Sequence, residues 1–314
     1  MKRAALLPAG SDPFLLAHWL RNYLTWSDSV DELVVMVSGH LELEALGYID
    51  DLIRSAPHAR MAYYNHRTSH GLMLEALTRY TRAKTVMLCE DDAYIRRPGI
   101  VDEAFAFAEA GGIVGTSRIG YATDAIINAA TKALGDQHSY WPCFLFVGRD
   151  RLLATDMTLG AREWRPGDEI LGTRIEQDEA SDTFVWASYQ LRAMGLPETL
   201  HENHRLAGQV VPDDAPWFHV GSLSGGHGYA FMGEMTPEDF DHEIGVWHQL
   251  PPGNAAQRIA WWARVWQSTY GAIPDYHRRY GEGLEKLRRM ADVSVDEVNA
   301  VMRANDRLIT WADR

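Results

Sequence analysis

The sequence predicts an α/β protein: a mixed, mostly parallel sheet flanked by helices, followed by a helical C-terminal extension. Three observations lead there. Over residues 1–115, short apolar runs rich in branched side chains alternate with segments of helical period. These runs close on loops rich in Gly, Pro, Asn, Asp and Ser, as strands do. From Asn254 onward the apolar spacing is helical to the end.

In chain order, Ala4–Leu7 reads as a first strand that ends at Pro8-Ala9-Gly10. Phe14, Leu15, Trp19, Leu20, Tyr23 and Leu24 recur at helical spacing. Leu33–Val37 is a second strand closing at Ser38-Gly39, and Leu41–Arg54 a helix. Arg60–Tyr64 is a third strand, followed by a helix over Gly71–Arg82 with a Leu74, Leu77, Tyr80 stripe. Thr85–Leu88 is a fourth strand, Ile100–Ala108 a helix and Gly112–Gly115 a short strand. Trp141–Val147 is strand-like, and residues 160–182 read as an acidic loop. Ser181-Asp182 offers an N-cap for a helix holding Phe184, Val185, Ser188 and Leu191. Trp217–Val220 is a short strand leading into the glycine-rich Gly221–Gly228, a candidate lid. Ile259, Trp262 and Trp266 form one stripe of the extension, and Ser294-Val295-Asp296-Glu297 is a capping box opening the last helix.

The 314 residues hold one large domain or a domain with an appendage. No apolar run is long enough for a membrane span, and the basic-then-apolar N-terminus is too short for a signal peptide. A soluble, cytoplasmic protein is expected. Cys89 and Cys143 lie in apolar runs, so buried free thiols are favoured over a disulfide. The net charge of −13 argues against a basic nucleic-acid surface. Residues 1–253 carry 20 Lys/Arg against 35 Asp/Glu, while residues 254–314 carry 10 against 8. The acidic excess therefore sits with the one motif that most invites chemistry.

That motif is Thr85-Val86-Met87-Leu88-Cys89-Glu90-Asp91-Asp92, an apolar strand ending in three adjacent carboxylates. Adjacent like charges must be solvated, paired or bound to metal. Carboxylates at a strand tip can hold a hard divalent cation against phosphate oxygens. The competing reading is a solvated acidic turn. Neighbours on an extended chain point to opposite sides, so Asp92 with Glu90 is the geometric pairing for one ion. His219, on an apolar strand, is the candidate third ligand, set against a buried structural histidine. Asp182, at a helix start, would be held ionised by the helix dipole and able to accept a proton, set against a plain cap. The C-terminal Trp261, Trp262, Trp266, Tyr270, Tyr276 and Tyr280 lie among Arg258, Arg264, Arg278 and Arg279. Such interleaving can stack on bases or sugars, or form core or a homodimer surface.

The order of these motifs resembles the GT-A-fold glycosyltransferases, family 2-like members in particular, over residues 4–228. Pro8-Ala9-Gly10-Ser11-Asp12 follows the opening strand, and His70-Gly71 opens the helix before the acidic strand. Cys89-Glu90-Asp91-Asp92 stands in the DxD place, with a Glu-Asp-Asp variant found in inverting N-acetylglucosaminyltransferases. Trp141–Arg149 resembles the acceptor-side strand, Asp178–Phe184 the later acidic motif, and Phe218-His219-Val220-Gly221 the late histidine segment.

The resemblance implies a metal-dependent enzyme that uses a nucleotide-sugar donor, with residues 1–115 as donor half and 116–230 as acceptor half. Residues 231–253 would connect to the 254–314 extension. Asp92 would bind Mn2+ or Mg2+ directly, His219 would complete the metal site, and Glu90 and Asp91 would contact ribose and donor sugar. Pro8, Ala9, Gly10 and Asp12 would line the base pocket, with Arg67 and His70 near the donor. Asp182 would deprotonate an acceptor hydroxyl, giving inversion. Ser38-Gly39 replaces the acidic residue with which many members read uracil, which leaves the base open: a UDP-sugar is favoured and a GDP-sugar possible. The acceptor is open too, among a protein, a small glycoside or a modified nucleobase in DNA as in phage-encoded enzymes of similar layout. The alternatives are a sugar nucleotidyltransferase, although Pro8–Asp12 lacks that class's basic loop, and a non-catalytic glycan- or nucleic-acid-binding protein working through its C-terminal helices. No G-x-G-x-x-G follows the first strand, which disfavours a Rossmann dehydrogenase.

Overall fold

The computed structural model describes residues 2–9, 13–39, 43–66, 68–117, 129–134, 140–157, 159–160, 162–181, 183–202, 214–219, 285, 288–289 and 292–300. The chain runs β1 (Arg3–Ala9), α1 (Pro13–Tyr23), β2 (Glu32–Ser38), α2 (Leu43–Arg54), β3 (Ala59–Tyr64), α3 (His70–Tyr80) and β4 (Thr85–Cys89). The chain continues through β5 (Ala93–Ile95), α4 (Gly99–Glu109), β6 (Ile113–Ser117), α5 (Ala129–Ala133), β7 (Tyr140–Gly148) and α6 (Arg149–Ala154). Then follow β8 (Arg162–Trp164), β9 (Glu169–Ile170), β10 (Thr173–Arg174), β11 (Glu179–Ser181), α7 (Val185–Ala193), β12 (Glu198–His201) and β13 (Trp217–His219).

Seven strands form the main sheet in the order β12-β6-β7-β4-β1-β2-β3. All neighbours are parallel except β7, which runs antiparallel to both β4 and β6. The fold class expected from the sequence is the one observed: a mixed, mostly parallel sheet with helices on both faces. The apolar runs are continuous because both faces are covered. Ala5, Leu7, Val35 and Met87 pack on one face against Leu16 and Trp19 of α1, Ile49 and Ile53 of α2 and Phe105 of α4. Ala4, Leu6, Val34 and Leu88 pack on the other against Leu74 and Leu77 of α3, Leu152 of α6 and Leu191 of α7.

Local chemistry sets the element ends. Ser69 caps α3, its hydroxyl accepting from the Leu72 amide. Gly71 has no room for a side chain, because a Cβ there would overlap the Gly160 backbone and come within 2.6 Å of the Leu159 carbonyl oxygen. Tyr80 leaves the expected core stripe of α3: it is exposed, with the Arg60 guanidinium over its ring at 4.1 Å. The capping box is formed, with Ser294 Oγ accepting from the Glu297 amide at 3.2 Å and the Glu297 carboxylate accepting from the Ser294 amide at 2.7 Å. Residues 295–300 are helical, and Val293 and Val298 join the first core face.

Two expectations are corrected between residues 160 and 202. The supposed loop over 160–182 contains two small antiparallel ribbons, β8 with β11 and β9 with β10. Ser181 closes β11 rather than capping a helix; α7 begins at Val185, behind Phe184 in the left-handed region at φ 69°. A non-glycine residue there costs roughly 1–2 kcal/mol, which the fully buried Phe184 ring offsets. Strand β12, absent from the sequence reading, forms the sheet edge beside β6. The glycine-rich 221–228, the 231–253 connection and the aromatic-basic stretch up to Tyr280 lie outside the described residues. No helix among the described residues is long and apolar enough to cross a membrane.

Candidate metal centre

The strand order reverses beside β1. The chain passes to β2 and β3 on one side, then crosses to β4 on the other, and α1 and α3 lie on opposite faces. In open α/β sheets the crevice beyond the C-terminal strand ends at such a point is where ligands bind. Pro8 and Ala9, both buried, end β1 at this edge, and Glu90, Asp91 and Asp92 follow β4 there. Gly10, Asp12, Arg67 and Asp182 lie outside the described residues.

The carboxylates are not on an extended chain. The Ala93 amide donates to the Glu90 carbonyl at 3.2 Å, closing a turn over residues 90–93. That turn, rather than strand alternation, puts Glu90 and Asp92 on a common site. The Glu90 amide donates to the Cys143 carbonyl of β7 at 3.2 Å, so the turn starts from a fixed ladder position. Asp91 and Asp92 are 3% and 2% exposed.

β13 brings the histidine. It pairs antiparallel with β5, with Trp217 opposite Ile95, Phe218 opposite Tyr94 and His219 opposite Ala93. The Asn22 side chain of α1 grips β5 as well, donating to the Ile95 carbonyl at 2.7 Å and accepting from the Ile95 amide at 2.9 Å. His219 Nε2 then lies 3.1 Å from Asp92 Oδ1 and 3.3 Å from Glu90 Oε2. Glu90, Asp92 and His219 each offer a ligand atom, all within 4.8 Å of one another. Donors about 2.1 Å from a shared ion stand up to about 4.2 Å apart, so the set fits one cation with little adjustment. Two carboxylate oxygens and an imidazole suit Mn2+ or a similar first-row ion.

His70 opens α3 on the other side, its Nε2 3.8 Å from Glu90 Oε1, beyond hydrogen-bond distance. Trp141, near the start of β7, donates its indole N–H to Glu90 Oε2 at 3.0 Å, and its ring centroid is 5.7 Å from that of His219. The sequence places Trp141 in a strand that resembles the acceptor side and not at the metal centre. The missing signal was strand direction: because β7 is antiparallel, its first residues, not its last, meet the ligand edge. Cys89 and Cys143 are free and buried nearby. Burial first, then the charge of Glu90, pushes both thiols up.

No protein-family model matches the sequence, and no curated protein is similar to it. Solved structures with a similar chain path include a mannosyltransferase from Pyrobaculum calidifontis in complex with GDP-Man and Mn2+. It is 12% identical, with a TM-score of 0.47, over 99% of this chain and 81% of that one. TarS of S. aureus, residues 1–349, is 11% identical, with a TM-score of 0.42, over 98% of this chain and 92% of that one. A nucleotidyl transferase from Methanothermobacter thermautotroptrophicus is 12% identical, with a TM-score of 0.40, over 64% of this chain and 87% of that one.

Proposed function

We propose that the chain is a metal-dependent glycosyltransferase of the GT-A type that moves a sugar from a nucleotide-sugar donor to an acceptor hydroxyl with inversion. The observation that supports this is the cluster of part-buried Glu90 with buried Asp92 and His219 at the C-terminal end of the central strand β4, beside the reversal in strand order. A solvated acidic turn has no use for a histidine returned from 127 residues away to face it. Glu90, Asp92 and His219 would hold the cation. When bound, a divalent ion of this kind offsets charge on the oxygens of the departing diphosphate.

Asp91, His70, Arg67 and the Pro8–Asp12 loop make the donor pocket, with a UDP-sugar favoured. Asp182 takes the proton of the acceptor hydroxyl. The freed oxygen attacks the anomeric carbon as its bond to the diphosphate breaks, and the nucleoside diphosphate leaves. The acceptor is a hydroxyl of a protein, a small glycoside or a modified nucleobase.

The test is a thermal-shift screen of nucleoside diphosphates and nucleotide sugars with and without Mn2+, followed by product analysis. A ligand at about 100 times its dissociation constant stabilises by about 2.7 kcal/mol. UDP should raise the melting temperature only with Mn2+, and the raise should vanish in Asp92→Asn. Asp182→Asn should keep the shift and lose transfer. Release of pyrophosphate instead of a nucleoside diphosphate would make the enzyme a nucleotidyltransferase. Retained anomeric configuration by NMR would remove Asp182 from its role.

A further inference from the structure

We propose that Trp141 is a positioning residue of the metal centre, fixing the Glu90 carboxylate and the His219 ring before the cation arrives. This rests on the metal-binding part of the function proposed above and deepens it.

The indole touches two of the three ligands. Its N–H donates to Glu90 Oε2 at 3.0 Å, the same oxygen that faces His219 Nε2 at 3.3 Å. A carboxylate oxygen has about two lone-pair positions. The indole takes one of them, and the other stays available toward His219 and Asp92. The ring meanwhile lies beside the imidazole at 5.7 Å between centroids and 47° between planes. Glu90 has three rotatable side-chain bonds, and its side chain is 13% exposed. Without a fixed donor its carboxylate could turn toward His70, 3.8 Å from Oε1.

The chemistry of the donor matters. A Lys or Arg in this place would hold Glu90 as firmly but would repel the incoming cation. A hydroxyl could rotate and donate elsewhere. An indole is neutral, rigid and donor-only. It orients the ligand without bringing charge and without offering an atom to the metal.

The backbone around Trp141 is held on each side. Tyr140, just before it, donates its amide to Ser188 Oγ at 3.0 Å, and its phenol donates to Glu198 Oε2 at 2.7 Å. Ser188 is fully buried on α7. Pro142, just after it, keeps Trp141 extended. Opposite, β6 changes register between Gly115 and Thr116, so that Thr116 pairs with Trp141. Such irregularities re-aim side chains near active sites. Three elements, α7, β12 and β6, thus hold the backbone that sets the angle of one indole.

Two variants of the full chain separate the hydrogen bond from the ring. Trp141→Phe removes the N–H and part of the bicycle. Replacing Trp141 by 3-benzothienylalanine puts sulfur in place of the N–H and keeps the shape, which protects the fold. Mn2+ affinity is read from the electron paramagnetic resonance signal of the free ion, and the metal-free melting temperature from circular dichroism. Outer groups that orient ligands typically contribute 10–100-fold to affinity. Both variants should bind Mn2+ about tenfold more weakly or worse, and the benzothienyl protein should melt as the wild type does without metal. Wild-type affinity in either variant overturns the inference and leaves the proposed function standing. Wild-type protein that binds no Mn2+ overturns both.

Discussion

Residues 2–89 lay down β1, β2, β3 and β4 as parallel neighbours, each joined to the next through one helix, whereas residues 93–219 return to the sheet out of order. In the second region β7 inserts antiparallel between β4 and β6, β12 closes the far edge, and β13 leaves the sheet to pair with β5. The contrast divides the site by chemistry. The consecutive region ends in the acids. The returning region supplies the nitrogen groups that face them, His219 to Asp92 across 127 positions and Trp141 to Glu90 across 51. Acids alone make a solvated turn. A site needs the second region to close around them.

The largest expected effect tests that division. Asp92→Ala removes a proposed metal ligand from the consecutive region and His219→Ala one from the returning region. Each should lower turnover by about 10^3-fold, roughly 4 kcal/mol of transition-state stabilisation. The double variant should be little worse than either single, because parts that act as a unit are not additive. Steady-state rates of the wild type and the three variants decide it. Additive losses would mean that the two regions work separately, and the comparison would fail.

A smaller effect probes where the regions touch. Gly71 on α3 meets Gly160 and the Leu159 carbonyl, and that same carbonyl accepts from the Phe184 amide at 3.0 Å. One backbone point thus seats the start of α3, with His70, against the start of α7. Gly71→Val should cost about 1–3 kcal/mol by overpacking, read as a lower urea midpoint at unchanged slope. An unchanged midpoint would show that the two regions can slide past each other there.

The same contrast governs what could be read from the sequence. In the consecutive region, burial on both faces leaves unbroken apolar runs, so Ala4–Leu7, Leu33–Val37 and Thr85–Leu88 stand out, and the helices between them follow by period. The acids were legible because they abruptly end such a run. In the returning region, β8 and β11 are three residues each and β9 and β10 two, too short for any alternation to show. β5 and β12 are recognisable only from their partners, β13 and β6. His219 was found through its apolar strand and glycine-rich tail. Trp141 was not, because its role depends on the direction of β7, which local pattern does not encode. Glu90 and Asp92 were paired for strand alternation, whereas a turn at Ala93 brings them together.

The smallest effect concerns the short ribbons. The Arg162 guanidinium on β8 lies against two indoles, 4.5 Å from the Trp164 ring and 4.2 Å from the Trp186 ring. It also reaches Asp156 Oδ2 at 3.1 Å, an oxygen to which the Trp186 indole N–H donates as well. Arg162 pairs with Ser181, the last residue of β11, so this clamp ties α7 to the strand that delivers the chain to Asp182. Lysine keeps the charge but loses the planar stack and the fork of donors. At a partly exposed site each cation–π contact is worth about 0.5–1 kcal/mol, so Arg162→Lys should loosen the ribbon with little change in global melting. Hydrogen exchange should quicken at the β8 and β11 amides alone. If Asp182 is the base, turnover should fall while Mn2+ affinity stays at the wild-type value, the reverse of the Trp141 variants, whose primary loss is in metal binding. A variant that loses both together would place the ribbon and the metal centre in one cooperative unit, and the division between them would have to be redrawn.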